Sequence, residues 1–157
     1  MVRLVLAAVV TGALLAVSTP AISAAGVERT DATLERQLGA LSDRLEHLVA
    51  ADDPGQGASA RVVATLRLPG RSLTSAGVER VTFRERGGGG VVTWQVGAGH
   101  RGRHLLVDAP LRPVGGALTL AAAGTHRLAF ELAGHDGAPV VTVRRLTGGQ
   151  SREATDA

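Results

Sequence analysis

The chain has 157 residues, a formal net charge of +3 and no cysteine. The lack of cysteine excludes disulfides, thiolate metal sites and cysteine-linked lipid anchors. All 17 basic residues are arginines scattered along the sequence, and aromatic residues are limited to one Trp and two Phe. Because nucleic-acid binding calls for clustered charge and, on single strands, aromatic platforms, we expect no nucleic-acid partner.

The N-terminal segment has the layout of an export signal. Arg3 precedes an uncharged run from Leu4 to Val27, and the small residues of STPAISAAG suit a signal peptidase. Residues 1–25 are therefore predicted to be a signal peptide cleaved after Ala24 or Ala25, or a retained membrane anchor, since about 20 apolar residues cross a bilayer. Either alternative places the remaining chain outside the cytoplasm, in the cell envelope or secreted.

A leucine heptad follows this segment. It predicts an amphipathic or coiled-coil helix over residues 26–51, with an interaction seam formed by Leu34, Leu38, Leu41, Leu45 and Leu48. Two alternatives stand for this stripe. It pairs with another helix in a homo- or hetero-oligomer, or it packs on the β-rich part of the same chain. If it pairs, aspartate at positions 38 and 45 is expected to abolish association and leave the β-rich domain folded.

After a linker over residues 52–60 the hydrophobic period changes to that of strands. Alternation bounded by glycine- and proline-bearing turns predicts seven strands, at residues 61–68, 78–85, 91–96, 103–108, 117–122, 126–132 and 139–146. The predicted fold is therefore mainly β with an N-terminal helix. Its β-rich extracytoplasmic domain over residues 61–146 is expected to be a seven-stranded antiparallel β-sandwich-like domain, followed by a disordered tail over residues 147–157.

Alternation also predicts which side chains face inward. Trp94 is expected in the core with its indole N–H bonded to a partner, and Leu105 is expected to point inward as well. Arginines such as Arg80 and Arg84 are expected to face solvent.

Candidate catalytic chemistry is sparse. His100 and His104 could share a metal ion on a helix, but they precede a strand-like run, where residues four apart stand about 13 Å from each other. His135-Asp136-Gly137 has the composition of a turn, and Gly87–Gly90 that of a flexible hairpin connection. The sequence therefore predicts no enzyme, with no catalytic, cofactor-binding or metal-binding residues.

The order of several short strings carries a family resemblance. MVRLVLAAVV, ERTDATLERQLGALSDRLEHLVAADDP, ARVVATLRLPGRSLTSAGVERVTF and PVVTVRRL follow one another over roughly residues 1–146. This order resembles an uncharacterised domain-of-unknown-function family of small membrane-anchored haloarchaeal proteins found near type IV pilus or type II secretion-like components. The resemblance implies an accessory role and brings no catalytic or ligand-binding residues with it.

These observations favour a non-enzymatic membrane-anchored envelope protein that acts by protein-protein packing, as an accessory component of a pilus- or secretion-like apparatus. Its expected partners are the membrane, through the N-terminal segment, and other protein chains, through the leucine helix. The alternative is a secreted β-sandwich binding module for a glycan or surface ligand.

Overall fold

A computed structural model describes residues 2–51, 60–72, 74–97, 99–135 and 138–146, with side chains from Ser23 onward except those of Ala51 and His135. The predicted tail and all but the last residue of the predicted linker lie outside this part of the chain. So do the side chains of residues 1–22, which form most of the predicted signal or anchor segment.

One long helix and ten strands make up the described residues. The helix α1 spans Val2–Ala51. The strands are β1 (Arg61–Leu68), β2 (Arg71–Ser72), β3 (Ser75–Ala76), β4 (Val78–Arg86), β5 (Gly89–Val96), β6 (His100–Val107), β7 (Leu111–Pro113), β8 (Leu118–Leu120), β9 (Gly124–His135) and β10 (Ala138–Leu146).

The strands form two four-stranded sheets and one small hairpin. The first sheet has the order β1-β9-β10-β7, the second has the order β6-β5-β4-β8, and β2 pairs with β3. Antiparallel hairpins connect β4 to β5 and β9 to β10, whereas β7 lies parallel to β10. The mainly β prediction with one N-terminal helix is therefore confirmed.

The helix lies against an edge strand of each sheet. The Gln37 amide donates to the carbonyl oxygen of Arg67 (3.1 Å) and accepts from the backbone N–H of the same residue (2.9 Å), at the edge strand β1. The Ser42 hydroxyl donates to the carbonyl oxygen of Leu106 (2.8 Å), on the edge strand β6. Since unpaired strand edges recruit other strands, these contacts protect the two sheets on this side.

The core is shared by the helix and both sheets. The five leucines of the heptad are 0–8% exposed and belong to the same buried cluster as the inward residues of the strands. Phe83 of β4 and Phe130 of β9 join the two sheets, with ring centroids 6.3 Å apart. The contact of these rings adds aromatic packing to an otherwise aliphatic core.

Two details of the strand prediction were wrong. Instead of seven antiparallel strands, the described residues form ten, because the predicted loops contain three short strands (β2, β3 and β7), and β7 pairs in parallel. Leu105 is 56% exposed, not inward, and Leu106 is fully buried in its place. The register shifts between Gly90 and Val91, so that β6 has one extra residue there and its alternation changes phase.

The first two residues of the tetraglycine form a hairpin connection, whereas Gly89 and Gly90 begin strand β5. Gly87 and Gly88 connect β4 to β5 with φ of 64° and 82°. Two consecutive positive φ angles match the twist of the flanking strands, and glycine adopts them without steric cost.

Candidate ligand-binding face

The outward face of the second sheet carries a cluster of arginines. Strand alternation and the pairing of β4, β5 and β6 place five of them on this face: Arg80, Arg84, Arg86, Arg101 and Arg103. All five are exposed. The arginines that are scattered along the sequence are thus brought together in space, and we call this surface the arginine face.

The arginine face is a shallow groove with a polar centre. Its volume is about 480 Å³, and its central positions are occupied by Thr82, Thr93 and Gln95. Alternate residues on one strand stand about 7 Å apart, and β4 lies about 10 Å from β6, two strand spacings away. The polar side chains of Thr93 and Gln95, on β5, therefore lie between the arginines of β4 on one side and the arginines of β6 on the other.

The positive charge of this face is largely uncompensated. None of the five arginines forms an ion pair with another residue in the described part of the chain. The carboxylate of Glu79 accepts a hydrogen bond from the Gln95 amide of this face (2.8 Å). On the first sheet, by contrast, Glu131 pairs with both Arg61 (3.4 Å) and Arg144 (3.2 Å).

A second polar cluster links the helix to the second sheet. The Trp94 indole N–H donates to Oδ1 of Asp31 (2.6 Å), and Nε2 of His100 lies 3.2 Å from Oδ2 of the same carboxylate. Trp94 is 3% exposed, which confirms its predicted inward position and its need for a partner. Asp31, a polar residue on the leucine stripe, provides that partner.

We expect Asp31→Leu to lower the free energy of unfolding by about 1–3 kcal/mol, because it leaves the buried indole N–H without an acceptor. Asp31→Asn keeps an oxygen for the indole and loses only the charge opposite His100, so a smaller loss is expected. Urea unfolding followed by Trp94 fluorescence measures both values. Equal stability of the Leu variant and the wild type would show that the hydrogen bond contributes nothing.

The two histidines that the sequence analysis considered as a metal pair lie on a strand. His100 and His104 lie four residues apart on strand β6, not on a helix, and His100 faces Asp31. No group of three or more potential metal ligands lies close together among the residues described here. Asp136, Gly137 and the His135 side chain lie outside the described residues.

The predicted interaction seam lies inside the molecule. Leu34, Leu38 and Leu45 have no exposed surface, and the remaining two leucines are at most 8% exposed. In the structure these leucines pack against the sheets of their own chain, as the intramolecular alternative expects. Another helix could contact them only if α1 moved away from the sheets. Pairing with another chain stays a prediction.

The arginine face is the feature that the sequence analysis missed. The spacing Arg84, Arg86 and the spacing Arg101, Arg103 are i, i+2 pairs, which put both members of each pair on one face of a strand. That signal was present in the sequence. The adjacency of the two strands was the missing information.

Helix, sheets and arginine face together define a β-rich domain built on one long N-terminal helix, with a basic sheet face. The chain belongs to the family described as a domain of unknown function (DUF7311), which matches residues 1–146. No curated protein and no solved structure matches the chain. Among the residues whose side chains the structure describes, from Ser23 onward, no helical stretch is long and apolar enough to span a membrane.

Proposed function

We propose that this protein is a non-enzymatic component of the cell envelope, attached to the membrane by its N-terminal segment and acting through a β-rich head outside the cell membrane. The observation that carries the proposal is the continuity of α1 over Val2–Ala51. The same helix contains the apolar segment and contributes its leucine stripe to the core of the head. An anchor joined rigidly to a head in this way holds the head close to the membrane.

Two further parts of the proposal concern the fold of the head and its partners. The two sheets stack as a β-sandwich, which the Phe83–Phe130 contact supports. The head packs against other envelope proteins, as an accessory component of a pilus- or secretion-like apparatus. The resemblance to haloarchaeal membrane-anchored proteins supports this setting. Since the leucine stripe is buried within the chain, such packing uses exposed surfaces of the head.

The experiment that tests the proposal is intact mass measurement with N-terminal sequencing of the protein recovered from membranes and from the medium. A chain that begins at or near Met1 and is recovered with membranes is the expected result. A chain that begins at Ala25 or Gly26 in the medium would replace the anchored protein by the alternative, a secreted binding module. Recovery of the full chain from the cytoplasm alone would contradict both.

The secreted binding module is retained because of the arginine face. Uncompensated positive charge on a folded surface attracts ligands of opposite charge, and this holds for an anchored or a released head. Trp94 does not serve such a module, because it is buried under the sheet.

A further inference from the structure

We propose that the arginine face binds an acidic polysaccharide, a linear sugar polymer that carries carboxylate or sulfate groups. The inference depends on the surface of the head and holds whether the N-terminal segment is retained or removed. It names a ligand class for the head, which the proposed function leaves open.

The charge pattern of the face fits repeated anionic groups. A guanidinium donates two parallel hydrogen bonds to a carboxylate or sulfate, and it remains charged at every relevant pH. Five such groups lie on one face without an ion-pair partner among the described residues. Because they are distributed over both β4 and β6, a polymer with regularly repeated anions can contact several of them at once, whereas one small anion cannot.

The centre of the face fits sugar hydroxyls. Thr93 on β5 lies between the arginines of β4 and those of β6, and Thr82 lies between two arginines along β4. The Thr119 hydroxyl on β8 lies 3.4 Å from that of Thr82. These hydroxyls, with the Gln95 amide, both donate and accept hydrogen bonds. Sugar rings between successive anionic groups present hydroxyls that match them.

A nucleic acid fits this face less well. Single-stranded nucleic acids gain affinity by stacking bases on exposed aromatic rings, and Trp94, the one aromatic residue lining the groove, is 3% exposed. The major groove of a duplex admits a helix or a two-stranded β-ribbon, and a face built from three neighbouring strands is wider than either.

A lipid bilayer also fits less well. Asp31 contacts His100 at the start of β6, and Ser42 contacts Leu106 near its end, so α1 and β6 run in the same direction. The arginine face, formed in part by β6, therefore extends along the helix. If the N-terminus of the helix enters a membrane, this face stands upright and only its end can approach the lipid surface.

The test measures binding of the full chain, in a neutral detergent, to heparin and to polygalacturonate by isothermal titration calorimetry. Replacing Arg84→Gln and Arg103→Gln together removes one cation from each side of the groove. We expect the double variant to bind both polymers at least about tenfold more weakly, equivalent to about 1.4 kcal/mol, since two charged hydrogen-bond donors are lost. Raising the salt concentration should weaken wild-type binding more than that of the variant.

The matched control is Arg67→Gln with Arg127→Gln, which removes the same charge from exposed positions on the first sheet. Near wild-type affinity is expected for this control. An equal loss in both double variants would overturn the assignment to the arginine face, because overall charge would then explain binding. Absence of binding to both polymers, or tighter binding to duplex DNA or to vesicles containing phosphatidylglycerol, would overturn the assignment to polysaccharide. Binding to neutral dextran of equal affinity would do the same.

Discussion

Replacing Leu38→Asp and Leu45→Asp together is expected to unfold the β-rich domain. Both side chains have no exposed surface and belong to the core shared by the helix and the two sheets. Removing a buried leucine side chain costs about 2–5 kcal/mol at each site, and burying an unpaired carboxylate costs more. Two such changes match the total stability of a typical domain, about 5–15 kcal/mol.

Circular dichroism and Trp94 fluorescence of the double variant measure this result. We expect loss of the cooperative thermal transition and a red-shifted emission, as the indole leaves the core. Aggregation is expected as well, because the helix would no longer cover the edge strands β1 and β6.

The control is Glu35→Asp with Glu46→Asp, which places two aspartates on the exposed side of the same helix. The stability of this control should change only by the small difference in helix propensity between Glu and Asp. A folded Leu38→Asp, Leu45→Asp variant that had lost binding to another chain would contradict the prediction. That outcome would favour the alternative in which the leucine stripe pairs with a helix of another chain.

The leucine stripe could be predicted from the sequence, but its partner could not. Over three heptads, a 3.5-residue repeat drifts only about 20° per heptad from the 3.6-residue period of a straight helix. The pattern Leu34 to Leu48 therefore indicates one buried face and does not distinguish another helix from a sheet. Asp31 was the informative exception, since a carboxylate on such a stripe predicts a polar partner, and the structure provides Trp94 and His100.

The arginine face depends on information that alternation alone lacks. Each strand pattern gives the two faces of one strand, and Arg80 and Arg84 were correctly predicted to point outward. Alternation within one strand does not show which strands are neighbours or in which register they pair. These features depend on pairing between residues that are distant in the sequence. The extra residue in β6 shows the limit, because a one-residue shift in phase moved Leu105 from the predicted core to the surface.

Gly102→Val is expected to lower the free energy of unfolding by about 3–5 kcal/mol. Gly102 pairs with Trp94 across β5 and β6, and a Cβ at this position would overlap the indole ring. Forcing extra carbons into a packed core costs about 1–3 kcal/mol, and displacing the indole also removes its hydrogen bond to Asp31, a bond to a charged group contributing about 1.5–3 kcal/mol. Thermal unfolding should show a midpoint lowered by about 10 °C or more.

Gly39→Ala is the control for Gly102→Val, and we expect it to raise the free energy of unfolding instead of lowering it. A Cβ at Gly39 meets no atom within 4 Å, and the residue lies inside α1. Alanine there should raise stability by up to about 1 kcal/mol, because glycine disfavours a helix interior. If any replacement of a glycine destabilised this domain, both variants would be less stable than the wild type. Stabilisation by Gly39→Ala would therefore show that the loss at Gly102 comes from its contact with Trp94.

A double-mutant cycle assigns the loss at Gly102 to the indole ring itself. Trp94→Val removes the ring and leaves space above Gly102, so Gly102→Val should cost much less in that background than in the wild type. We expect a coupling energy of about 0.5–3 kcal/mol, the range found for residues in direct contact. Additive losses would contradict the contact and would place the strain of Gly102→Val in the backbone of β6. Coupling of the expected size would mean that glycine at position 102 is required so that Trp94 can lie over β6 and reach Asp31 on the helix.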